Sequence, residues 1–461
     1  MPLIIRWKSH FGHRPTDKTF LVRPIAQINR HPSKNRAPRS EEAGVIRTSR
    51  LDRQLRIAGW NQSALDRAKI GVVGDRDQLA SLFVLSASAL GINKLVAVAP
   101  ELNKVLVEIA GKVNPVLDLT YIEGFYTHPA MDDLFKGCNL IVDLSHYGLA
   151  NKLLLEKGFR ERLPIVMGAG YRRDGVEGLN VFTYIRGREW QELHQLVCPN
   201  SLPAGHFDDA VYDMIIAGIA LEEVKNLLMQ QKISGGVITY ERTSGGHDNQ
   251  SKILVIGSGA LGTFVGLGLA YTGFKRCTFM DPDVVEVTNL NRQVLLYDAI
   301  GHSKAETLSG RLNDLFGMRS SAEVGYFRRD TDLSPYDAVF DCVDNFETRI
   351  VLSEQCKDHR KVLISGGTSA DAGQVVVYDP LKNGATPAEL LGLYAIVNTR
   401  TVETPLRERA SCTYQADPSV VMTNQITAGF MVDSYRMLLA GQEVKNIFYD
   451  STSSERTWAA S

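Results

Sequence analysis

A glycine-rich turn followed by a carboxylate indicates where this sequence could hold a phosphorylated ligand. The segment VIGSGALG, residues 255–262, places Gly257, Gly259 and Gly262 between an apolar strand and a helix. Glycines at this spacing let the backbone approach a phosphate closely, and the amides that begin the helix attract an anion. Asp281 follows Gly257 by 24 residues, where its carboxylate could accept hydrogen bonds from a ribose. These residues alone are compatible with a dinucleotide or an adenine nucleotide.

Two cations and a second carboxylate change the chemistry that we expect. Asn289, Arg292 and Lys304 follow Asp281 within a short span, and Asp344 follows a later predicted strand. A hydride-transfer site has little use for two cations. Breaking a triphosphate needs cations against the phosphate charge and a carboxylate that holds magnesium. The set therefore favours ATP chemistry over an NAD-dependent dehydrogenase, which stays as a minor alternative.

Internal repetition indicates which elements position these residues. The segment KIGVVGDRDQLASLF, residues 69–83, aligns with the glycine turn of the second half at an offset of 183, and further segments repeat in the same order. Alternating strands and helices predict open, largely parallel α/β sheets with helices on both faces. We predict two tandem Rossmann-like, doubly wound sheets that form a pseudo-twofold dimer. The expected division is a basic extension at 1–44, a first domain at 45–240 that lacks the ligand residues, a linker at 241–252 and a second domain at 253–461 that carries them.

The second half resembles the adenylation domain of the ubiquitin-activating enzyme family, which includes the adenylyltransferases of thiamine and molybdopterin biosynthesis. The resemblance covers residues 252–450 and rests on GSGALG, DPDVVEVTNLNRQ, GHSKAE and FDCVDNFETR. It implies that ATP and Mg²⁺ bind here, and that the C-terminal glycine carboxylate of a ubiquitin-like protein attacks the α-phosphate. By this resemblance Asp344 binds magnesium, and the nucleotide contacts are Gly257, Gly259, Ala260, Leu261, Gly262, Asp281, Asn289, Arg292, Lys304 and Asp344.

Cys412 lies in a polar segment shortly before a predicted helix that begins near Pro418. The nearby Arg407 and Arg409 favour a reactive thiolate, because cations lower the pKa of a thiol. In the resembled family the catalytic cysteine lies in a comparable loop, which implies that Cys412 accepts the modifier as a thioester and passes it to a conjugating enzyme. We expect this loop, about residues 381–417, to lack regular structure and to be mobile.

Two other functions stay open at this point. An adenylyltransferase for a sulfur-carrier protein would not need Cys412 as a carrier, although such enzymes usually have two CxxC pairs for zinc. This sequence has six cysteines and no CxxC pair, so we expect no zinc. A non-enzymatic scaffold is the third possibility.

The first copy keeps the strand and helix but lacks the ligand residues. Positions aligned with two turn glycines, the ribose aspartate and the metal aspartate hold Arg76, Leu79, Ala99 and His146. We therefore expect one ATP per chain. The pattern R-x-x-R-Q, formed by Arg50, Arg53 and Gln54, resembles the family's N-terminal helix, which sends an arginine into the partner domain's site. This implies that Arg53 contacts phosphate in the other half.

Composition excludes several classes of function. The formal net charge of -1 gives no electrostatic basis for binding nucleic acid or membrane, and no apolar run is long enough to span a bilayer. The opening residues lack a signal-peptide pattern, so we expect a cytoplasmic protein, either a monomer with an internal pseudodimer or a higher oligomer. Residues 1–40 hold nine Lys or Arg against one Asp, and we expect local strand character there. The compact length and the lack of a recognisable C-terminal ubiquitin fold suggest, by analogy, prokaryotic modifier systems, some of which serve antiviral defence.

Overall fold

Two mixed sheets, one in each half of the chain, organise the structure. The computed structural model describes residues 22–24, 49–188, 197–203, 207–382, 384–403 and 418–460. Most of the predicted extension at 1–44 therefore lies outside the described residues. None of the helices in these ranges is both long enough and apolar enough to cross a membrane.

The first sheet has the strand order β1-β4-β3-β2-β5-β6-β7-β8. Strands β2 to β6 pair in parallel with one another, whereas β1 pairs antiparallel with β4, β7 with β6, and β8 with β7. The strands are β1 (Val22–Pro24), β2 (Lys69–Gly74), β3 (Lys94–Ala99), β4 (Asp118–Glu123), β5 (Leu140–Leu144), β6 (Ile165–Arg173), β7 (Val176–Tyr184) and β8 (Ile238–Thr243).

The first-half helices cover this sheet and supply much of the core. They are α1 (Asp52–Leu55), α2 (Gln62–Arg67), α3 (Asp77–Leu90), α4 (Lys104–Val113), α5 (Gly148–Glu161) and α6 (Ala210–Leu228). A 3₁₀ segment also covers Pro129–Phe135. Helices α3 and α6 are mostly apolar and are buried along almost their whole length. A helix that is apolar on all sides is typical of the interior of a larger protein, so these two helices lie between layers rather than at the surface.

The second sheet repeats this plan with the order β11-β10-β9-β12-β13-β14-β15-β16. Its strands are β9 (Lys252–Ile256), β10 (Arg276–Met280), β11 (Ser321–Glu323), β12 (Ala338–Asp341), β13 (Val362–Thr368), β14 (Ala372–Tyr378), β15 (Asn446–Asp450) and β16 (Thr457–Ala460). Its helices are α7 (Ala260–Tyr271), α8 (Lys304–Phe316), α9 (Phe346–Asp358), α10 (Pro387–Leu390), α11 (Leu393–Glu403) and α12 (Val421–Leu439). The predicted α/β class with two Rossmann-like sheets is confirmed, and each sheet also has an antiparallel edge that we did not predict.

Three local predictions need correction. Helix α12 begins at Val421 rather than near Pro418, and β8 runs to Thr243, inside the predicted linker. The segment that we expected to be irregular contains α10 and α11. Helix α10 forms because Thr386 and Glu389 make a capping box around the proline at its first position.

Helices α6 and α12 bring the two halves together through reciprocal contacts. A Cβ added to Gly218 of α6 would lie 2.6 Å from Cγ1 of Ile426, and one added to Gly429 of α12 would lie 2.4 Å from Cγ1 of Ile215. These four residues are equivalent in pairs between the copies, at an offset of 211. Each glycine therefore leaves room for the isoleucine of the other half.

Buried ion pairs add to this contact. Arg436 Nη1 of α12 lies 2.8 Å from Asp209 Oδ2, the residue that caps α6. At the C-terminal hairpin, Arg456 Nη2 lies 2.7 Å from Glu223 Oε1, and both side chains are fully buried. Removing one partner of such a pair leaves an uncompensated buried charge, so the two halves depend on each other for stability.

Alanine at Gly429 should test how tightly the halves pack. We expect Gly429→Ala to lower the free energy of unfolding by about 1–3 kcal/mol, because the new methyl group must displace Ile215. Gly310→Ala in α8 is the matched control, since a Cβ there meets nothing within 4 Å. In the control, the free energy of unfolding should rise by about 0.5–1 kcal/mol, because alanine has a higher helix propensity than glycine. Urea unfolding measures both, and equal effects would contradict close packing at Gly429.

Candidate functional site

The glycine turn between β9 and α7 has the geometry that its sequence suggests. Gly257 has a φ of +94°, and a Cβ there would lie 2.6 Å from the carbonyl oxygen of Cys342. A Cβ on Gly262 would lie 1.9 Å from the carbonyl oxygen of Gly257. Gly259 caps α7, so the first amides of this helix face the end of the turn. Backbone amides arranged in this way suit an anion.

Asp281 follows β10 and holds the turn in place. Its Oδ2 accepts a hydrogen bond from the amide of Ser258 at 2.6 Å, and its Oδ1 accepts one from the amide of Asp283 at 2.8 Å. Burial raises the pKa of this carboxyl, and the positive charge of Lys304 opposes the rise. Each carboxylate oxygen can accept a second hydrogen bond, and a ribose hydroxyl could donate it.

Arg292 lies in the connection after β10 and is almost completely buried. Its Nη1 donates to the carbonyl oxygen of Thr288 and to Oδ1 of Asn291, both at 2.8 Å. Burial, followed by the neighbouring charge of Arg53, lowers the pKa of Arg292 to about 10, while Asp344 acts in the opposite direction. The guanidinium therefore stays charged at neutral pH in a place where a second cation repels it, and an anion would relieve this repulsion.

Lys304 adds a further positive charge. It is the first residue of α8, and its Nζ lies 2.8 Å from Oδ2 of the largely exposed Asp283. Because Asp283 reaches solvent, this ion pair is weak and the ammonium can exchange its partner for a ligand phosphate.

Arg53 of the first half reaches the same cavity. Helix α1 places its half-buried side chain among residues of the second half. Burial lowers the pKa of Arg53, as does the charge of Arg56, whereas Glu286 and Asp344 raise it. The structure thus brings together the arginine and the site that the sequence places more than 200 residues apart.

Asn289 and Asp344 have different surroundings. The Oδ1 of the buried Asn289 accepts from the amide of Glu286 at 2.9 Å, and the two side chains form a capping box. Asn289 therefore shapes the short 3₁₀ turn that leads to Arg292. Asp344 follows β12 and is exposed at the cavity.

All of these side chains line one cavity of about 920 Å³. Several other residues that were not predicted from the sequence also line the cavity, among them Glu286, Gln293, Arg349, Thr368, Asn424 and Tyr449. Arg349 is buried and donates from Nη2 to the carbonyl oxygens of Val343 and Gly366, so it fixes the loop that carries Asp344. Its place in the segment DNFETR, which begins with the predicted metal aspartate, is the signal that could have identified it.

The equivalent turn of the first half carries charged side chains that pair with one another. Arg76 pairs with Oδ1 of Asp213 at 2.8 Å and also with Asp208, while His146 Nδ1 lies 3.2 Å from Oδ1 of Asp75. The carboxylates outweigh the effect of burial and raise the pKa of Arg76. Arg76, Asp213 and His146 are buried. The expectation that this half lacks a nucleotide site stays a prediction.

Cys412 lies outside the described residues, as do Arg407, Arg409 and the remainder of 404–417. Cys342 lies near the glycine turn, but burial raises the pKa of its thiol well above the usual value, so it is a poor nucleophile. Within the ranges that the structure describes, no group of three or more His, Cys, Asp or Glu side chains could hold a metal ion.

The strand order, the glycine turn and the polar cavity beside it are typical of a nucleotide-binding domain of the Rossmann type. Residues 247–458, slightly less than half of the chain, match the model of the ThiF family. The family resemblance inferred from the sequence is thereby confirmed.

Known proteins resemble the chain only in part. The adenylyltransferase and sulfurtransferase MOCS3 of Anopheles gambiae is 35% identical over 136 residues, which are 28% of this chain and 31% of that protein. Its namesake in Drosophila yakuba is 31% identical over 196 residues, 40% of this chain and 43% of that protein. The structure of E. coli MccB with ATP is 19% identical with a TM-score of 0.37, over 46% of this chain and 64% of that chain. The chain thus spans less than half the length of the curated relatives that it matches.

Proposed function

We propose that the chain adenylates the C-terminal carboxylate of a small protein with ATP. The observation that carries the proposal is the convergence of Arg53, Arg292 and Lys304 beside the glycine turn in one cavity. Three cations that converge beside a glycine turn suit a polyphosphate better than a nicotinamide. The name of the MOCS3 relatives, adenylyltransferase and sulfurtransferase, supports the same reaction.

The reaction needs positioning and charge more than covalent chemistry. The amides of α7 and the three cations bind the triphosphate, and Asp281 accepts hydrogen bonds from the ribose. A carboxylate oxygen of the substrate forms a bond to the α-phosphorus, while the bond from that phosphorus to the bridging oxygen of the β-phosphate breaks. The products are an acyl-adenylate and pyrophosphate, and the cations stabilise the charge that develops on the leaving group.

Magnesium fits this site through Asp344. Mg²⁺ is commonly bound by one or two protein carboxylates together with substrate phosphates, and Asp344 offers an exposed carboxylate on the cavity. The ion would neutralise phosphate charge. Because the proposed substrate is ATP, the cytoplasm is the compartment in which we place this activity.

The two halves act as one pseudo-twofold unit in this proposal. The reciprocal contacts of Gly218 with Ile426 and of Gly429 with Ile215 are what a twofold axis between equivalent helices produces. The first half then keeps Arg53 for the second half after losing its own pocket.

For the identity of the substrate, we propose a ubiquitin-like protein that ends in glycine and passes to Cys412 as a thioester, ready for a conjugating enzyme. The thiolate would attack the acyl carbon of the adenylate and release AMP. The alternative is a sulfur-carrier protein that leaves as the adenylate, and the names of the MOCS3 relatives favour it.

ATP–pyrophosphate exchange tests the adenylation. We expect exchange that depends on a carrier protein ending in a free glycine carboxylate, and one nucleotide bound per chain by calorimetry. The matched control is the same carrier with a C-terminal amide, which lacks the attacking oxygen and should give none. Exchange that is independent of the carboxylate, or two nucleotides per chain, would contradict the proposal.

The same reaction mixture separates the two substrates. A thioester with Cys412 should appear as a covalent adduct that thiols cleave, and Cys412→Ala should abolish it while exchange continues. Cys138→Ala, in the first half, is the control and should keep the adduct. Exchange without any adduct would instead support the sulfur-carrier alternative.

A further inference from the structure

A line of buried side-chain amides connects the first half of the chain to the phosphate site of the second. Gln54 is fully buried, and its Nε2 donates to the carbonyl oxygen of Leu90 at 2.9 Å and to Oε1 of Gln62 at 2.7 Å. Its Oε1 accepts a hydrogen bond from Nδ2 of the fully buried Asn291 at 3.1 Å. Asn291 Oδ1 in turn accepts from Nη1 of Arg292 at 2.8 Å.

Each amide in this line fixes the orientation of the next. Trp60 Nε1 donates to Oε1 of Gln62 at 3.0 Å, so this oxygen faces the NH₂ group of Gln54. The oxygen of Gln54 must then face the NH₂ group of Asn291. A flip of either amide would bring two donors or two acceptors together. The acceptor end of Asn291 is therefore held against Arg292.

We propose that Gln54 and Asn291 are positioning residues for Arg292 in the adenylation reaction. Among the residues that the structure describes, only Nη1 of this guanidinium has hydrogen-bond partners, namely Thr288 and Asn291. Holding Nη1 leaves the edge formed by Nε and Nη2 for the cavity. This edge carries the paired donors that suit a phosphate, and its direction decides how well it binds.

The line also reaches the helix that follows the Cys412 segment. Nδ2 of Asn291 donates to the carbonyl oxygen of Ser419 at 3.2 Å, two residues before α12 begins. Asn291 thus joins the N-terminal segment of the first half, the arginine of the second half and the start of α12. The first half contributes Gln54 to the site as well as Arg53.

Gln54→Leu tests the proposal in the full-length chain. It keeps the size of the side chain and removes its hydrogen bonds, so we expect the KM for ATP in pyrophosphate exchange to rise up to about 10²-fold. Arg50→Leu is the matched control, because Arg50 lies in the same segment and donates to the carbonyl oxygen of Ala89 at 2.7 Å without lining the cavity. It should lower stability yet leave the KM near the wild-type value.

A double-mutant cycle separates positioning from general loss of structure. Calorimetry measures ATP affinity with and without Arg292→Ala. If Gln54 acts through Arg292, Gln54→Leu causes no further loss of affinity in the Arg292→Ala background. An equal loss in both backgrounds would overturn the inference, as would a Gln54→Leu chain that binds ATP like the Arg50→Leu control.

Asn291→Ala provides the same test if Gln54→Leu does not fold, since it removes the acceptor that Arg292 uses. It should weaken ATP binding only where Arg292 is present, and a loss in both backgrounds would again overturn the inference. The inference rests on the proposed function. A wild-type chain that fails to bind ATP would overturn both, whereas wild-type binding with an additive cycle overturns the positioning role alone.

Discussion

Replacing Arg53 by alanine is expected to lower the rate of ATP–pyrophosphate exchange by about 10²–10³-fold, which is typical for one preorganised donor at developing charge. Arg53 belongs to α1 of the first half, yet it lines the cavity of the second half together with Arg292 and Asp344. Its half-buried position means that water replaces the lost guanidinium only in part. The effect should fall mainly on kcat if Arg53 meets the pyrophosphate as it leaves, and on KM if it binds ATP in the ground state.

Arg56→Ala is the control that isolates this role. Arg56 lies on the same turn of chain, and its Nη2 pairs with Oδ2 of Asp52 at 2.6 Å outside the cavity. Its removal should cost about 0.3–0.5 kcal/mol of stability, as for an exposed i,i+4 pair, and leave exchange unchanged. Equal exchange rates for Arg53→Ala and Arg56→Ala would show that the first half supplies no phosphate contact.

The glycine turn could be predicted from the sequence because its requirements are local. A positive φ at Gly257 and the contact between Gly262 and the Gly257 carbonyl arise within six residues. The role of Asp281 was predicted only in part. Its sequence position suggests a ribose acceptor, whereas the structure shows that it also holds the amides of Ser258 and Asp283.

Contacts between the halves could not be predicted in this way. The hydrogen bond from Asn291 to Gln54 joins residues 237 positions apart, and no pattern in either segment indicates that both are buried against each other. Likewise, the sequence predicts that Arg76 obstructs the first turn but does not indicate that Arg76 pairs with Asp213. Such pairs depend on how two sheets pack, which periodicity within one segment does not determine.

Helix α10 is a different case, because its signal was present and was overlooked. Thr386, Pro387 and Glu389 form the sequence pattern of a helix N-terminus, and the structure has the corresponding capping box. The low periodicity of the surrounding segment led to the expectation of an irregular loop. A short helix that packs against α9 needs no long apolar stripe. The capping residues therefore predict this helix better than hydrophobic periodicity does.

Alanine at Gly262 should remove the nucleotide site. A Cβ there would lie 1.9 Å from the carbonyl oxygen of Gly257, and this backbone atom cannot move aside without displacing α7 from β9. We expect Gly262→Ala to lower the free energy of unfolding by about 1–3 kcal/mol or more, as in other overpacked sites. Because the amides of α7 move with the helix, ATP affinity should fall by at least about 10²-fold.

Gly259→Ala separates steric strain in the protein from obstruction of the ligand. The nearest atom to a Cβ at Gly259 is the side-chain nitrogen of Gln293 at 3.6 Å, an ordinary contact, so the chain should unfold at the wild-type urea concentration. The new methyl group nevertheless stands where the backbone must approach phosphate, and ATP affinity should fall as it does for Gly262→Ala. Wild-type ATP binding by Gly259→Ala would show that the phosphates do not pass over this turn. If Gly262→Ala has wild-type stability, the turn can move to accommodate the methyl group. A loss of ATP affinity in this variant would then need a cause other than steric strain in the turn.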